Sequence, residues 1–221
     1  MFLKFFLFSL GVTLAASSIA GTSLHSATND FVENPFVAVG VNPATHVVTG
    51  YFSARRTAPG RTDACKFLFR GRVGQDGKVR LTIRDALTGQ QSAPAQGQQN
   101  PAALTIAKSS VRIELPETLA PGDCDWILEW VGGPHVTKDQ RGFTLSVDTG
   151  PQDDWIGVAA IRSKRAYFHD APDAASVRKA FLVAGNIAYV TEEKPGWYHV
   201  RFTHAARVTT GWIRKSDTVQ F

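Results

Sequence analysis

The chain has 221 residues, of which 43% are hydrophobic and 19% charged, with a formal net charge of +5 at pH 7. So little charge excludes a disordered tail or a coiled coil, while 19 Gly, 11 Pro and a single Met shift the balance from helix toward short strands and turns. The length suits one large or two small domains with a buried core, and beyond the first twenty residues no apolar run is long enough to span a membrane.

The opening segment MFLKFFLFSLGVTLAASSIA carries Lys4, then sixteen uncharged residues, and closes on the small-x-small triplet Ser18-Ile19-Ala20. It reads as a secretory signal peptide over 1–20. No Cys follows the cleavage point, so a soluble mature chain without a lipid anchor is expected in the bacterial periplasm. Export governs the two cysteines, Cys65 and Cys124: an even count in an oxidising compartment predicts a disulfide. Asp123-Cys124-Asp125 resembles the nucleophile region of NlpC/P60-type cysteine peptidases. Such an enzyme needs its thiolate at a helix start with a His on a following strand, whereas Pro121-Gly122 before Cys124 and Asp125-Trp-Ile-Leu-Glu-Trp130 after it predict a turn entering a strand.

From Phe31 onward, short apolar runs alternate with turn residues. Strands are predicted over 47–54, 65–72, 78–85, 111–115, 126–131 and 143–147. The clearest hairpin pairs Cys65–Arg72 with Lys78–Arg84 through Asp76-Gly77. Alternation sends Val79, Leu81 and Ile83 to one face and Lys78, Arg80, Thr82 and Arg84 to the other, so one face is core and its reverse basic. Residues 86–103 hold five Gln, two Pro, two Gly and no charge, which predicts a long loop inside a domain over 21–150. The turn-rich segment Asp148-Thr-Gly-Pro-Gln-Asp-Asp154 is the expected boundary to a second unit over 155–221. Such a unit is expected to fold alone, unless the apolar Trp155–Ile161 belongs to a sheet shared by both halves.

That second unit contains Lys164-Arg-Ala-Tyr-Phe-His-Asp-Ala-Pro-Asp173, Arg178-Lys-Ala-Phe-Leu-Val-Ala-Gly-Asn-Ile-Ala-Tyr-Val190, Gly196-Trp-Tyr-His-Val200 and Thr210-Gly-Trp-Ile-Arg-Lys-Ser-Asp217. Turns at Gly185-Asn186 and Lys194-Pro-Gly196 separate strands over 187–191, 197–202 and 208–213. In this order of motifs the segment resembles the bacterial SH3 (SH3b) family. The resemblance implies a small barrel that binds without catalysing, usually in the cell envelope and often on peptidoglycan or its peptide stems. The wall-hydrolase subtype opens with a strand like Leu-Asn-Val-Arg-Ser-Gly-Pro; here the region reads Ala166-Tyr-Phe-His-Asp-Ala-Pro172, so that subtype's groove does not carry over. The expected fold class is all-β, a small barrel or sandwich followed by an SH3-like barrel.

Aromatic residues with polar neighbours make binding surfaces, which marks Tyr167, His169, Trp197 and Tyr198 as contact candidates beside the loop Phe168–Asp173. Strand alternation turns either Trp197 or Tyr198 outward, and Trp212 is expected to pack. Charge is one-sided: residues 50–90 hold nine Lys or Arg against three Asp, a balance of +6, while residues 91–150 balance at −3. Arg55, Arg56 and Arg61, on an expected loop before Cys65, would supply an electrostatic contact to an anionic partner. Ser176-Val-Arg-Lys179 has the S-x-x-K spacing but no companion motif and is placed in a loop. The six His show no metal-ligand spacing, no phosphate-cradling glycine loop is present, and nucleic acid does not suit an exported protein; no metal and no cofactor is expected.

The expectation is a non-enzymatic periplasmic binding protein whose partner is a cell-wall polymer such as peptidoglycan or an envelope protein. The alternative is an inhibitor or immunity protein that blocks a secreted cell-wall hydrolase. A third class, a cryptic hydrolase, requires turnover that depends on Cys124 and not on Cys65.

Overall fold

The computed structural model describes residues 22–25, 33–86, 88–91, 102–107, 110–115, 124, 136–139, 142–146, 155–205 and 207–221. The expected signal peptide, most of the uncharged loop, the strand expected over 126–131 and the boundary segment lie outside the described residues. Within them the chain is all-β: fifteen strands and one 3-10 turn, Lys215–Asp217. Cys124 has helical backbone rather than the expected turn into a strand.

The first nine strands form one antiparallel sheet: β1 (Thr22–His25), β2 (Glu33–Val41), β3 (Val47–Ala58), β4 (Arg61–Val73), β5 (Lys78–Asp85), β6 (Ala103–Ile106), β7 (Ser110–Glu114), β8 (Val136–Asp139) and β9 (Gly142–Ser146). Their order is β1-β2-β3-β4-β5-β6-β7-β9-β8, and the sheet curls until Cα atoms of β1 and β9 come within 8 Å. The predicted hairpin is present, with Phe69 opposite Ile83 and Arg70 opposite Thr82, and Gly77 takes the positive φ of 74° that its turn requires. Alternation then builds the core: Cys65, Phe67 and Phe69 of β4 face inward with Phe52, Val79 and Ile83, and Phe52 stacks on Phe67 at 4.8 Å. The Cys65–Cys124 disulfide closes this core across 59 residues of sequence, and both cysteines are fully buried.

The remaining strands, β10 (Gly157–Ala160), β11 (Ala166–His169), β12 (Val177–Leu182), β13 (Ile187–Lys194), β14 (Trp197–His204) and β15 (Arg207–Arg214), form a second antiparallel sheet. Its order is β10-β13-β14-β15-β11-β12, wrapped round Ile161, Phe168, Leu182, Val200 and Ile213. Gly185 and Gly196 make the expected turns with φ of 86° and 75°. Two local expectations are corrected. Strands β3 and β4 run out to Ala58 and Arg61, so Arg55, Arg56 and Arg61 sit on a hairpin turned by Gly60 (φ 77°) rather than on a loop. Ser176-Val-Arg-Lys179 runs into β12, not a loop.

The two sheets share a core. Ala38, Tyr51 and Leu68, on the outer face of β2–β4, are buried against Val158, Ala160 and Val219. Trp155 donates its indole N–H to the Val39 carbonyl at 3.0 Å and stacks on Tyr189 at 4.3 Å. The Val158 amide donates to Thr49 Oγ1 at 2.8 Å. Gly40 permits the approach, since a Cβ there would stand 2.4 Å from the Gly157 nitrogen.

Two expectations follow. Thiol titration of the denatured, unreduced protein finds almost no free thiol, and reduction lowers stability by up to about 4 kcal/mol, the loop-entropy value for a loop of this length. Gly40→Ala, which adds a methyl against backbone, lowers the urea midpoint by the equivalent of about 1–3 kcal/mol, with near-UV and far-UV circular dichroism falling together.

Candidate functional site

Two surfaces gather chemistry. The first is the outer face of β14, β15 and β11. Trp197 lies opposite Arg214, His199 opposite Trp212, and His169 opposite Trp212 on the next ladder, so alternation brings two indoles and two imidazoles to one face. His169 meets Trp197 edge-on at 4.7 Å, and His199 meets Trp212 at 5.2 Å. Lys194 sits over the Trp212 ring at 4.8 Å and Arg214 over Trp197 at 5.8 Å, cation–ring contacts that hold charge beside aromatic surface. Trp212 and His169 are buried, at 7% and 4% exposure, leaving Trp197 and His199 half-open to solvent. His199 Nδ1 lies 2.7 Å from the Thr191 hydroxyl, whereas His169 Nδ1 is buried without a hydrogen-bond partner.

The loop beside this face is self-satisfied. Asp173 accepts from the amides of Ala175 and Ser176 at 2.8 and 3.0 Å, the Ser176 hydroxyl donates to the Ala171 carbonyl at 2.9 Å, and Asp170 pairs with Arg178. Its polar atoms therefore brace the loop. Tyr167 stands apart, edge-on to Phe181 at 5.6 Å near the β12 edge. Arg55 is exposed, Arg56 lies opposite Asp63 and Arg61 pairs with the buried Asp63; none of the three lines the cleft that Tyr198 lines.

The second surface is a cleft of about 210 Å³ between the sheets. Thr49, Arg70 and Arg72 line it from β3 and β4, and Glu193 and Tyr198 from the opposite side. Sequence reasoning put Tyr198 beside Trp197; consecutive residues of a strand point to opposite faces, and Tyr198 turns into the cleft. Glu193 is engaged there by Lys215 and by the Asn42 amide, and Lys215 also rests over the Tyr198 ring at 4.9 Å. Burial raises the Tyr198 pKa above its usual value of 10.0, and the Glu193 charge raises it further against the opposing pull of Arg70. The phenol stays protonated at neutral pH, a donor facing the cleft. Arg70 and Arg72 were legible only as part of a basic stretch.

Among the described residues no group of three or more His, Cys, Asp or Glu is arranged to hold a metal ion. No family model, curated protein or solved structure matches the chain.

Tyr51, in the shared core, also has its pKa raised, by burial first and against a lowering hydrogen bond with Ser53. Both raised phenols stabilise the fold fully below the unfolded value of 10.0 and lose that contribution as pH rises beyond it. The urea midpoint is therefore expected to fall above about pH 10, and to fall less steeply in Tyr198→Phe.

Proposed function

We propose that this chain is an exported, non-enzymatic binding protein of the bacterial periplasm, whose SH3b-like module and basic β-domain hold a cell-envelope ligand such as peptidoglycan. The observation that supports it is the outer face of β14 and β15. Trp197 offers a flat ring to the C–H surface of a sugar, and Arg214 and Lys194 beside the indoles offer cations to the carboxylates of a peptide stem. Buried His169 and Trp212 hold that surface in place from beneath.

A second reading, an inhibitor or immunity protein against a cell-wall hydrolase, is favoured by one observation. Strand β12 ends the second sheet, and Val177, Phe181 and Val183 on and beside it are 55%, 40% and 44% exposed. An edge strand with apolar side chains suits docking of another protein.

The deciding experiment passes tagged mature protein over purified sacculi and, separately, through a periplasmic extract. Retention on sacculi, weakened by more than about ten-fold in Trp197→Ala and unchanged in Phe181→Lys, supports the wall reading. A stoichiometric protein partner lost with Phe181→Lys supports the inhibitor. Wall binding that collapses at high salt in the wild type and ignores Trp197→Ala moves the contact to the arginines, whose field is screened over about 8 Å at physiological ionic strength.

A further inference from the structure

The inter-sheet cleft carries more positive charge than the fold can use. Arg70 and Arg72 project from the same face of β4, about 6.6 Å apart along the strand, and Arg72 lies directly opposite Arg80 of β5. Like charges in that position repel. Neither the Arg72 nor the Arg80 side chain has a hydrogen bond or ion pair among the described residues, and the charge of Arg70 acts on Tyr198. The carboxylate across the cleft, Glu193, is ion-paired with Lys215, which offsets part of its charge. Hydroxyls complete the lining: Thr49 accepts the Val158 amide and keeps its own proton to donate, and Tyr198 stays protonated.

We propose that this cleft binds an oxyanion, a carboxylate or phosphate group borne by a small ligand or by the end of a longer one. Arg70 and Arg72 hold it through charge-assisted hydrogen bonds, Thr49 and Tyr198 donate to it, and Arg80 adds to the field. Guanidinium groups match the paired oxygens of either anion. A volume of about 210 Å³ is below the usual range for a whole organic ligand, roughly 300–1,000 Å³, and suits one charged group. Val158, Val190 and Val219 form an apolar wall beside these groups. The site is separate from the aromatic face, so its fate does not depend on what Trp197 contacts.

The test measures thermal midpoint and calorimetric affinity of the oxidised mature protein in sodium phosphate and in sodium acetate, against sodium chloride at matched ionic strength. The expected result is a raised midpoint in phosphate, acetate or both, with affinity weakened about ten-fold or more by Arg70→Gln or Arg72→Gln. Lys179→Gln, at an exposed position on β12 at the far edge of the second sheet, and Trp197→Ala leave the response intact. Without added anion, Arg72→Gln is expected to raise the midpoint, because it relieves the opposition to Arg80; loss of binding is then separable from loss of fold. Tyr198→Phe, which preserves the ring, is expected to weaken binding a few-fold and serves if an arginine variant does not fold. A response to phosphate alone assigns a phosphate ligand, and one to acetate alone a carboxylate. No response in the wild type, or a response undiminished in both Arg72→Gln and Tyr198→Phe, overturns the proposal.

Discussion

The backbone of β10 lies on the backbone of β2, and that approach sets the rest of the molecule. Two glycines meet there, Gly40 and Gly157, because a Cβ on the first would overlap the second. With the strands so close, Trp155 reaches the Val39 carbonyl, the Val158 amide reaches the Thr49 hydroxyl, and the outer face of the first sheet is covered for part of its width. A strand buried on one side alternates apolar and polar residues; a strand buried on both does not. Strand β4 changes from one condition to the other along its length. Cys65, Phe67 and Phe69 face the inner core throughout, while outward-facing Leu68 is covered by the second sheet and outward-facing Arg70 is not. The edge of the shared core thus falls between Leu68 and Arg70, and the cleft opens at that edge.

Elements whose cause is local were legible. Asp76-Gly77 with strict alternation specified the β4–β5 hairpin, and Gly185-Asn186 and Lys194-Pro-Gly196 marked the turns that flank β13. Elements whose cause is distant were not. Strand β10 lies inside the apolar Trp155–Ile161, which the sequence offered to a sheet shared by both halves, but Gly-Val-Ala-Ala is too short and too small for any period; it pairs with β13 and packs on β2 and β3. Strand β2 runs apolar from Phe36 to Val41 with no alternation, because Ala38 is buried beneath the second sheet as fully as Val37 and Val39 are in the core. The Arg55–Arg61 hairpin was legible in principle, since Pro59-Gly60 is a turn signal.

The same distinction divides the candidate site residues. His169 and Trp197 were singled out from their own motifs and do meet, although His169 is a buried support. The cleft joins residues more than a hundred positions apart, and no window on the sequence contains both Arg70 and Tyr198. Basic composition marked the outer face of the first sheet, where Arg72 and Arg80 stand, while the contact named there, Arg55, Arg56 and Arg61, sits on the β3–β4 hairpin outside the proposed cleft. Arg56 faces Asp63 across the hairpin and Arg61 is ion-paired with it, whereas Arg70 and Arg72 face a wall whose acidic side chain, Glu193, is already engaged.

Strand β14 and the end of β15 connect the two surfaces. Trp197 and Tyr198 are consecutive and point to opposite sides, and so do their cations: Arg214 covers Trp197 and Lys215 covers Tyr198. Lys215 has a second task, because its ammonium is the partner of Glu193. Were Glu193 unpaired, it would be the natural counter-ion for the arginines across the cleft and would repel an incoming anion. Held by Lys215, its charge is partly offset, and the charge of Arg70 and Arg72 is left to the cleft. The sign of the cleft therefore depends on a lysine that begins the 3-10 turn at the end of the last strand, placed there by the same register that sets Arg214 above the outer indole.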